Sequence, residues 1–180
     1  MMLLALPMLA ITSCSDDENG NLGKDEVPLF KDYSQVIGKD SKDVQKWMGE
    51  EPDEEYSTTG LEVFYPASDT NVDFVFVVYS IEPGIINKKC VAVDSYLSSK
   101  LTTTQVTNYL AKCYDFDEVD EDGDYWYYYK DYVILYTPAY TDEDGDYAGN
   151  DVYYADKKAF ETRGVDFKAA IKAHRAQIRK

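Results

Sequence analysis

The chain of 180 residues has a formal net charge of −16 at pH 7, with 34 acidic and 18 basic residues. Such an acidic chain repels nucleic-acid phosphates, which argues against DNA or RNA binding and favours solubility and cationic partners. Aromatic residues make up 14% of the sequence and include 17 tyrosines, too high an aromatic content for a disordered chain.

The N-terminal segment has the pattern of an export leader that ends in a cysteine. Apolar residues run from Met1 to Ile11, too short a stretch to span a bilayer but the length of a signal-peptide core. Residues 11–14, Ile-Thr-Ser-Cys, resemble the bacterial lipobox. The resemblance implies that residues 1–13 are removed and that Cys14 carries the lipid anchor. No Lys or Arg precedes Lys24, so we expect translation to start upstream of Met1. The alternative is a buried N-terminal helix that ends in cysteine.

An acidic, glycine-containing segment follows the cysteine. Residues 14–29 hold too little apolar area to offset the entropy of ordering, so they are predicted to form a flexible tether. The acidic run directly after Cys14 is similar to the surface-export signal of Bacteroidetes lipoproteins. That resemblance implies lipid anchoring to the outer membrane at the cell surface, with a periplasm-facing orientation as the alternative.

Residues 30–95 are predicted to form a short helix followed by an antiparallel meander. Ser41 is the predicted N-cap and Gly49 the predicted C-terminal stop of this helix. Its apolar face consists of Val44, Trp47 and Met48. The patterns of β-branched and aromatic residues predict strands at 61–65, 72–80 and 85–93.

Residues 96–160 are predicted to repeat this organisation. Thr102 and Gln105 have the spacing of a capping box. The apolar face of the second helix consists of Val106, Tyr109 and Leu110, each 62 residues after its counterpart in the first helix. Strands are predicted at 114–119, 125–130, 132–137 and 151–155.

The segment 161–180 is predicted to be a basic C-terminal helix. Its apolar stripe consists of Phe167, Ala170, Ile171, His174 and Ile178, and its solvated side of Lys168, Lys172, Arg175 and Arg179. We expect its positive charge to lie against the acidic body. The predicted fold class is therefore α+β: a tandem repeat of a short helix packed on an antiparallel β-meander, plus a C-terminal helix.

The repeated helix and meander resemble a known protein family. The residues that carry the resemblance are Gly38, Ser41, Val44, Trp47, Met48, Gly49, Pro52, Tyr65 and Tyr79. They are similar to the repeat of the β-lactamase inhibitor protein and of the small outer-membrane lipoproteins of the barrel-assembly machinery. The resemblance covers residues 34–80 and, more loosely, 98–155. It implies a tandem fold and, as one functional hypothesis, inhibition of a hydrolase.

Few residues are candidates for chemistry. His174 is the only histidine, and no G-x-S-x-G, P-loop or G-x-G-x-x-G motif occurs. Asp120, Asp122 and Asp124 form an acidic pentapeptide that returns at 142–146. It is a candidate Ca²⁺ site, or a hairpin turn in which Asp-Gly supplies positive φ. Cys90 and Cys113 could form a disulfide or lie buried separately. No cofactor is predicted.

The tyrosine-rich strand segment is the candidate binding site. A strand points successive side chains to opposite faces, so about half of these rings are predicted to face away from the helix-covered core. Aromatic side chains are enriched where proteins bind. The candidate residues are Tyr125, Trp126, Tyr127, Tyr128, Tyr129 and Tyr132. Their mutual packing across strands is the alternative.

The sequence therefore predicts a membrane-anchored, non-enzymatic binding or scaffold lipoprotein of the bacterial envelope. Its ligand would be a protein, peptide or glycan. The alternatives are a hydrolase inhibitor and a carboxylate-dependent hydrolase such as a glycosidase.

The lipobox generates the first testable prediction. Intact-mass spectrometry of the native product should show a chain that begins at Cys14 and carries the added mass of fatty acyl groups. Substitution of Cys14 by Ala should abolish this mass increase and release the protein from membranes. Recovery of the native chain with its leader attached and the thiol unmodified would contradict the prediction.

Overall fold

In the described part of the chain, an eight-stranded antiparallel sheet is accompanied by four helices, which confirms the α+β class. The computed structural model describes residues 27–56, 60–80, 88–141, 147–161 and 166–178. Residues 1–26, with the leader, Cys14 and most of the tether, lie outside this part. So do positions 85–87 of the third predicted strand, the second acidic pentapeptide and Arg179.

The helices are α1 (Ser41–Met48), α2 (Thr103–Cys113), α3 (Lys157–Glu161) and α4 (Phe167–Ile178), and a 3-10 turn at Tyr33–Val36 precedes α1. The strands of the large sheet are β1 (Glu54–Tyr56), β2 (Leu61–Phe64), β3 (Val72–Val78), β4 (Ala92–Leu97), β5 (Asp115–Val119), β6 (Tyr125–Tyr129), β7 (Tyr132–Thr137) and β10 (Asp151–Asp156). Strands β8 (Tyr140–Thr141) and β9 (Tyr147–Ala148) form a separate pair. The strand order in the large sheet is β1-β2-β3-β4-β10-β7-β6-β5.

Side-chain caps set the limits of α1. Asp40, and not the predicted Ser41, is the N-cap, because its carboxylate accepts from the Asp43 amide at 3.1 Å. The Ser41 hydroxyl instead donates to the Glu62 carboxylate. Gly49 ends the helix as predicted, in the left-handed conformation at φ 83°.

The predicted capping box of α2 is confirmed. The Gln105 amide donates to the Thr102 hydroxyl at 3.3 Å, and the Thr102 amide donates to the Gln105 side chain at 2.9 Å. Two otherwise orphaned amides are thereby satisfied, so the helix begins where the Thr-x-x-Gln pattern indicates.

The third predicted strand is wrong in its bounds. Strand β4 begins at Ala92, although the apolar pattern predicted a strand over 85–93. The reason is that the backbone of Cys90 bonds elsewhere. Its carbonyl accepts a hydrogen bond from the Gly38 amide at 2.8 Å, and its amide donates to the Lys39 carbonyl at 2.7 Å. Cys90 is therefore tied to the segment before α1. Strand β1 was not predicted, since Glu-Glu-Tyr has no apolar alternation.

The two faces of the sheet bury two separate apolar clusters. The first lies under α1 and α2 and includes Val75 and Tyr154, and the second lies under α3 and α4 and includes Leu135 and Tyr153. The neighbours Tyr153 and Tyr154 thus point to opposite faces, as a strand requires. We call the face under α3 and α4 the second face.

The prediction that α4 packs its apolar stripe on the domain is confirmed. Ile171 is fully buried in the second cluster, with Phe167, Ala170 and Ile178 packed against that cluster. His174 is also buried, and its Nδ1 lies 2.7 Å from the Tyr153 hydroxyl. The single histidine is thus held within the packing of α4 on the sheet. Within the described ranges, no helix has the length and apolar character needed to cross a membrane.

Cys90 and Cys113 are two buried thiols in the first cluster, and no disulfide joins them. The Cys90 thiol donates to the carbonyl of Ala92 at 3.3 Å. Desolvation raises the pKa of Cys90 above its ordinary value, so this thiol stays protonated and behaves as a small apolar side chain.

Arg175 was predicted to be solvated, and that prediction is wrong, because only 6% of its surface is exposed. Its guanidinium donates to the carboxylate of Asp151 and to the hydroxyl of Thr137. Its Nε lies 4.0 Å from Oδ2 of Asp94. Asp94 and Asp151 are fully buried on the adjacent strands β4 and β10. Buried carboxylates are costly unless an opposite charge accompanies them, and Arg175 provides that charge.

Replacing Arg175 with Ala would leave two buried carboxylates without their guanidinium. We expect this variant to lose about 3–5 kcal/mol of unfolding free energy, measured by urea denaturation. The matched control is Lys158→Ala, which removes a cation that pairs with Asp131 at 3.2 Å where both side chains are largely exposed. That change should cost less than about 1 kcal/mol. Equal losses in the two variants would contradict a structural role for the buried arginine.

Candidate functional site

The tyrosine-rich strand β6 was the predicted binding site. Its residues alternate between the faces as predicted. Trp126 and Tyr127 are buried and the other four rings are half-buried, so neither face of β6 is fully open to solvent, and ligand binding at these residues stays a prediction. Tyr125, Tyr129 and Tyr132 pack against the first cluster, and Tyr127 is buried within it. Burial raises the pKa of Tyr127 to about 12.

The remaining rings of β6 lie under α4. Trp126 is fully buried, and the Nζ of Lys168 lies 4.9 Å from the centroid of its ring. The rings of Tyr128 and Phe167 are 6.3 Å apart between centroids. The C-terminal helix therefore covers the side of β6 that was predicted to bind a ligand.

Another group of aromatic rings lies on the same second face, in the first half of the sheet. It consists of Tyr65, Phe74, Phe76 and Tyr96, which we call the aromatic patch. The strand register pairs Phe74 with Tyr96, and side chains directly opposite each other share a face. The four rings belong to neither buried cluster. Tyr65 is 51% exposed and the other three are half-buried.

The rings of the patch pack against one another. Phe74 and Tyr96 stack with centroids 4.2 Å apart, and Phe76 lies edge-on to both, at 5.3 Å and 5.7 Å. Tyr65 extends the group, with its centroid 6.1 Å from that of Phe74. These contacts hold the rings in place, so a ligand would meet a surface that is already ordered.

Two acidic residues, Asp53 and Glu54, lie beside the patch. Between Lys46 and Lys88 the sequence has nine acidic residues and no Lys or Arg. The exposed Glu54 pairs in register with Val63, which in turn pairs with Phe76, so Glu54 lies on the second face. The Tyr65 amide donates to Asp53 at 3.0 Å, which places a second carboxylate beside the patch. The patch therefore combines a partly exposed aromatic surface with two neighbouring carboxylates.

The candidate Ca²⁺ ligands Asp120, Asp122 and Asp124 lie together at the turn before β6, but a lysine of α4 engages them. The Nζ of Lys172 lies 2.6, 2.5 and 3.6 Å from their carboxylates in that order. Gly123 adopts φ 85°, as the alternative hairpin turn requires. No group of three or more His, Cys, Asp or Glu suited to a metal occurs among the described residues.

The turn lowers the pKa of Asp120 to about 2. Burial alone would raise it, but hydrogen bonds from Lys172, the Trp126 indole and the Asp124 amide outweigh that effect by stabilising the ionised form. The indole donates at 2.8 Å, and this contact ties the buried ring to the acidic turn.

No protein-family model, curated protein or solved structure matches this chain. The site must therefore be interpreted from its own geometry.

Sequence reasoning missed the aromatic patch because the tyrosine run at β6 gave a stronger compositional signal. Two signals could have found it. Phe74 and Phe76 are two positions apart, which puts both on one face of a strand. The absence of Lys and Arg from the segment between Lys46 and Lys88 marks the same region by charge.

The depressed pKa of Asp120 predicts a pH dependence of stability. The pKa of Asp120 falls from 3.8 to about 2 on folding. The stabilisation that its ionised carboxylate provides is therefore complete above about pH 4 and is lost as the pH falls towards 2. The wild type should therefore exceed Asp120→Asn in unfolding free energy at pH 6, and the difference should shrink towards pH 2. Urea denaturation across this range measures it. Glu121→Gln, at an exposed position in the same turn, is the control, and a difference that stays constant with pH would contradict the assignment.

Proposed function

We propose that this chain is a lipid-anchored, non-enzymatic binding or scaffold protein of the bacterial envelope, and that the aromatic patch is its binding surface. The observation that carries the proposal is a group of packed aromatic rings that reaches solvent on a sheet face while the other half of that face is covered. Exposed apolar groups with a polar rim are typical of interaction sites, and aromatic residues dominate the energetics of such sites. The ligand would be a protein, a peptide or a glycan.

The anchor in this proposal is a lipidated Cys14. The segment 14–29 would tether the folded part to the membrane, with the outer membrane and the cell surface as the location. The lipobox resemblance and the acidic composition of the tether support this placement. A tether suits a binding function, since it lets the patch reach a partner at some distance from the bilayer.

We further infer that the folded part is a tandem repeat, 30–95 and 96–160, followed by the C-terminal segment 161–180. The first half contributes α1 and strands β1 to β4, of which β4 runs two residues past the boundary. The second contributes α2, strands β5, β6, β7 and β10 and most of α3, and the two sets of strands meet where β4 pairs with β10. The N-caps Asp40 and Thr102 are 62 positions apart, the same offset as the apolar faces of α1 and α2. In this arrangement Tyr65, Phe74 and Phe76 of the patch lie in the first repeat, Tyr96 lies directly after its boundary on β4, and α4 covers the corresponding face of the second repeat.

The environment of the buried acids supports a non-enzymatic function. Asp94 and Asp151 both lie beside the guanidinium of Arg175, which donates to Asp151 and lies 4.0 Å from Asp94, so both carboxylates share a structural cation. Glu62 borders a cleft of about 610 Å³, but its two oxygens accept from the hydroxyls of Ser41 and Tyr79. These contacts fit structural carboxylates better than the facing acid and base of a glycosidase.

The second candidate function is inhibition of a hydrolase, as the resemblance to the β-lactamase inhibitor protein implies. An antiparallel sheet of eight strands with one half-open face is a suitable surface for covering an active-site rim. Assays of a panel of secreted hydrolases, with and without the purified protein, test this function. Unchanged rates across the panel would rule it out for the enzymes assayed.

Substitutions in the patch test the first proposal. In affinity capture from envelope extracts, Tyr65→Ser and Phe74→Ser should each lose most of the enriched partner, because they remove exposed or packed aromatic area. The matched control is Phe116→Ser on β5, which removes a 53% exposed ring outside the patch and should leave capture unchanged. Circular dichroism and thermal melting establish that each variant is folded. Equal capture by all four proteins would contradict the proposal.

A further inference from the structure

The C-terminal helix shows what kind of segment the second face accepts. Helix α4 places Lys168 over the ring of Trp126 and 2.8 Å from the Asp117 carboxylate. One turn later Lys172 pairs with the acidic turn before β6, while Ile171 is buried against the sheet. An amphipathic helix that combines apolar side chains with lysines thus satisfies both the rings and the acids of this face.

The aromatic patch has the same chemistry on the same face, and α4 does not fill it. Its rings are partly open to solvent, and Glu54 and Asp53 supply the carboxylates. No Lys or Arg lies in the sequence between Lys46 and Lys88, so the segment that carries β1, β2 and β3 contains no cation of its own. The half of the face under α3 and α4 receives its cations from these two helices, through Lys157, Lys168 and Lys172, whereas the patch has acids and rings but no helix of that kind among the described residues.

We propose that the aromatic patch binds a basic amphipathic helix presented by a partner protein. This inference rests on the proposed function and specifies the partner. The lysines or arginines of the helix would lie over the rings of Tyr65 and Phe74 and pair with the flanking acids, while its apolar side chains cover the rings.

Other ligands fit the patch less well. A neutral glycan would stack on the rings and donate hydroxyls to the acids, but it would gain no ion pair from them, so its binding would not weaken at high salt. An acidic segment would be repelled by these acids.

The probe is a synthetic peptide with the sequence of residues 166–178, fluorescently labelled and capped at both ends. The full mature chain is titrated into it, and binding is followed by fluorescence anisotropy at two salt concentrations. We expect saturable binding that weakens at high salt, because ion pairs near the surface are screened. A second peptide, with Lys168, Lys172 and Arg175 replaced by Glu, should not bind.

Variants of the chain locate the binding. Tyr65→Ser and Phe74→Ser should weaken binding of the basic peptide at least tenfold, and Phe116→Ser should change it less than twofold. Tyr65→Ser keeps the test valid if Phe74→Ser fails to fold, since Tyr65 is largely exposed. Absence of binding, equal binding of the charge-reversed peptide, or equal loss in the Phe116 variant would each overturn the inference.

Two further measurements separate the possible failures. If patch variants abolish partner capture but the basic peptide does not bind, the aromatic patch is still the binding surface, and the inference that its ligand is a basic helix is wrong. If capture is also unaffected, the proposed function falls with it. Sedimentation of the chain alone tests a second copy as the occupant, and self-association that Tyr65→Ser abolishes would overturn the assignment to a different partner.

Discussion

The buried ion cluster of Arg175 with Asp94 and Asp151 determines which part of the sheet remains open. The two carboxylates lie on the adjacent central strands β4 and β10, where both are fully buried. Charges at such positions are tolerated only with a partner of opposite sign, so the strands require the guanidinium that α4 delivers. Arg175 therefore fixes the end of α4 beside β4 and β10, while the apolar contacts of Ile171 and Phe167 hold the rest of the helix on the second face.

From that position the helix divides one sheet face into two parts with similar chemistry and different exposure. Lys168 reaches the β5 edge through Asp117, and Arg175 reaches β4 through Asp94, so α4 crosses the second half of the sheet. Trp126 and Tyr128 are covered along this path. The rings of Tyr65 and Phe74 lie beyond it, which leaves an aromatic and acidic area next to the ion cluster. The proposed binding surface is thus the part of the face that the chain's own helix does not occupy.

Local sequence patterns predicted the helices and strands, whereas contacts between distant parts of the chain determine which aromatic rings remain exposed. The apolar spacing of Val44, Trp47 and Met48 and the capping box at Thr102 predict helices because neighbouring residues determine them. Alternation likewise predicts that the rings of β6 point to two faces. Whether such a face is covered depends on a helix more than thirty residues further along the chain, and no local pattern records where that helix docks. Arg175 was mispredicted for the same reason. In the sequence it forms one cationic stripe with Lys168 and Lys172, and no local pattern indicates that Arg175 alone faces two buried carboxylates.

The three cations of α4 differ in exposure, so their ion pairs hold the two ends of the helix on the sheet with different strength. The side chains of Lys168 and Lys172 are 23% and 29% exposed, whereas that of Arg175 is 7% exposed. Salt screens exposed pairs far more than buried ones, so the ion pairs near the start of α4 weaken with ionic strength while the pair near its end persists. The helix is therefore held most firmly beside β4, at the border of the aromatic patch. Raising the ionic strength should therefore weaken the ion pairs at the start of α4 before that of Arg175 at the border of the patch.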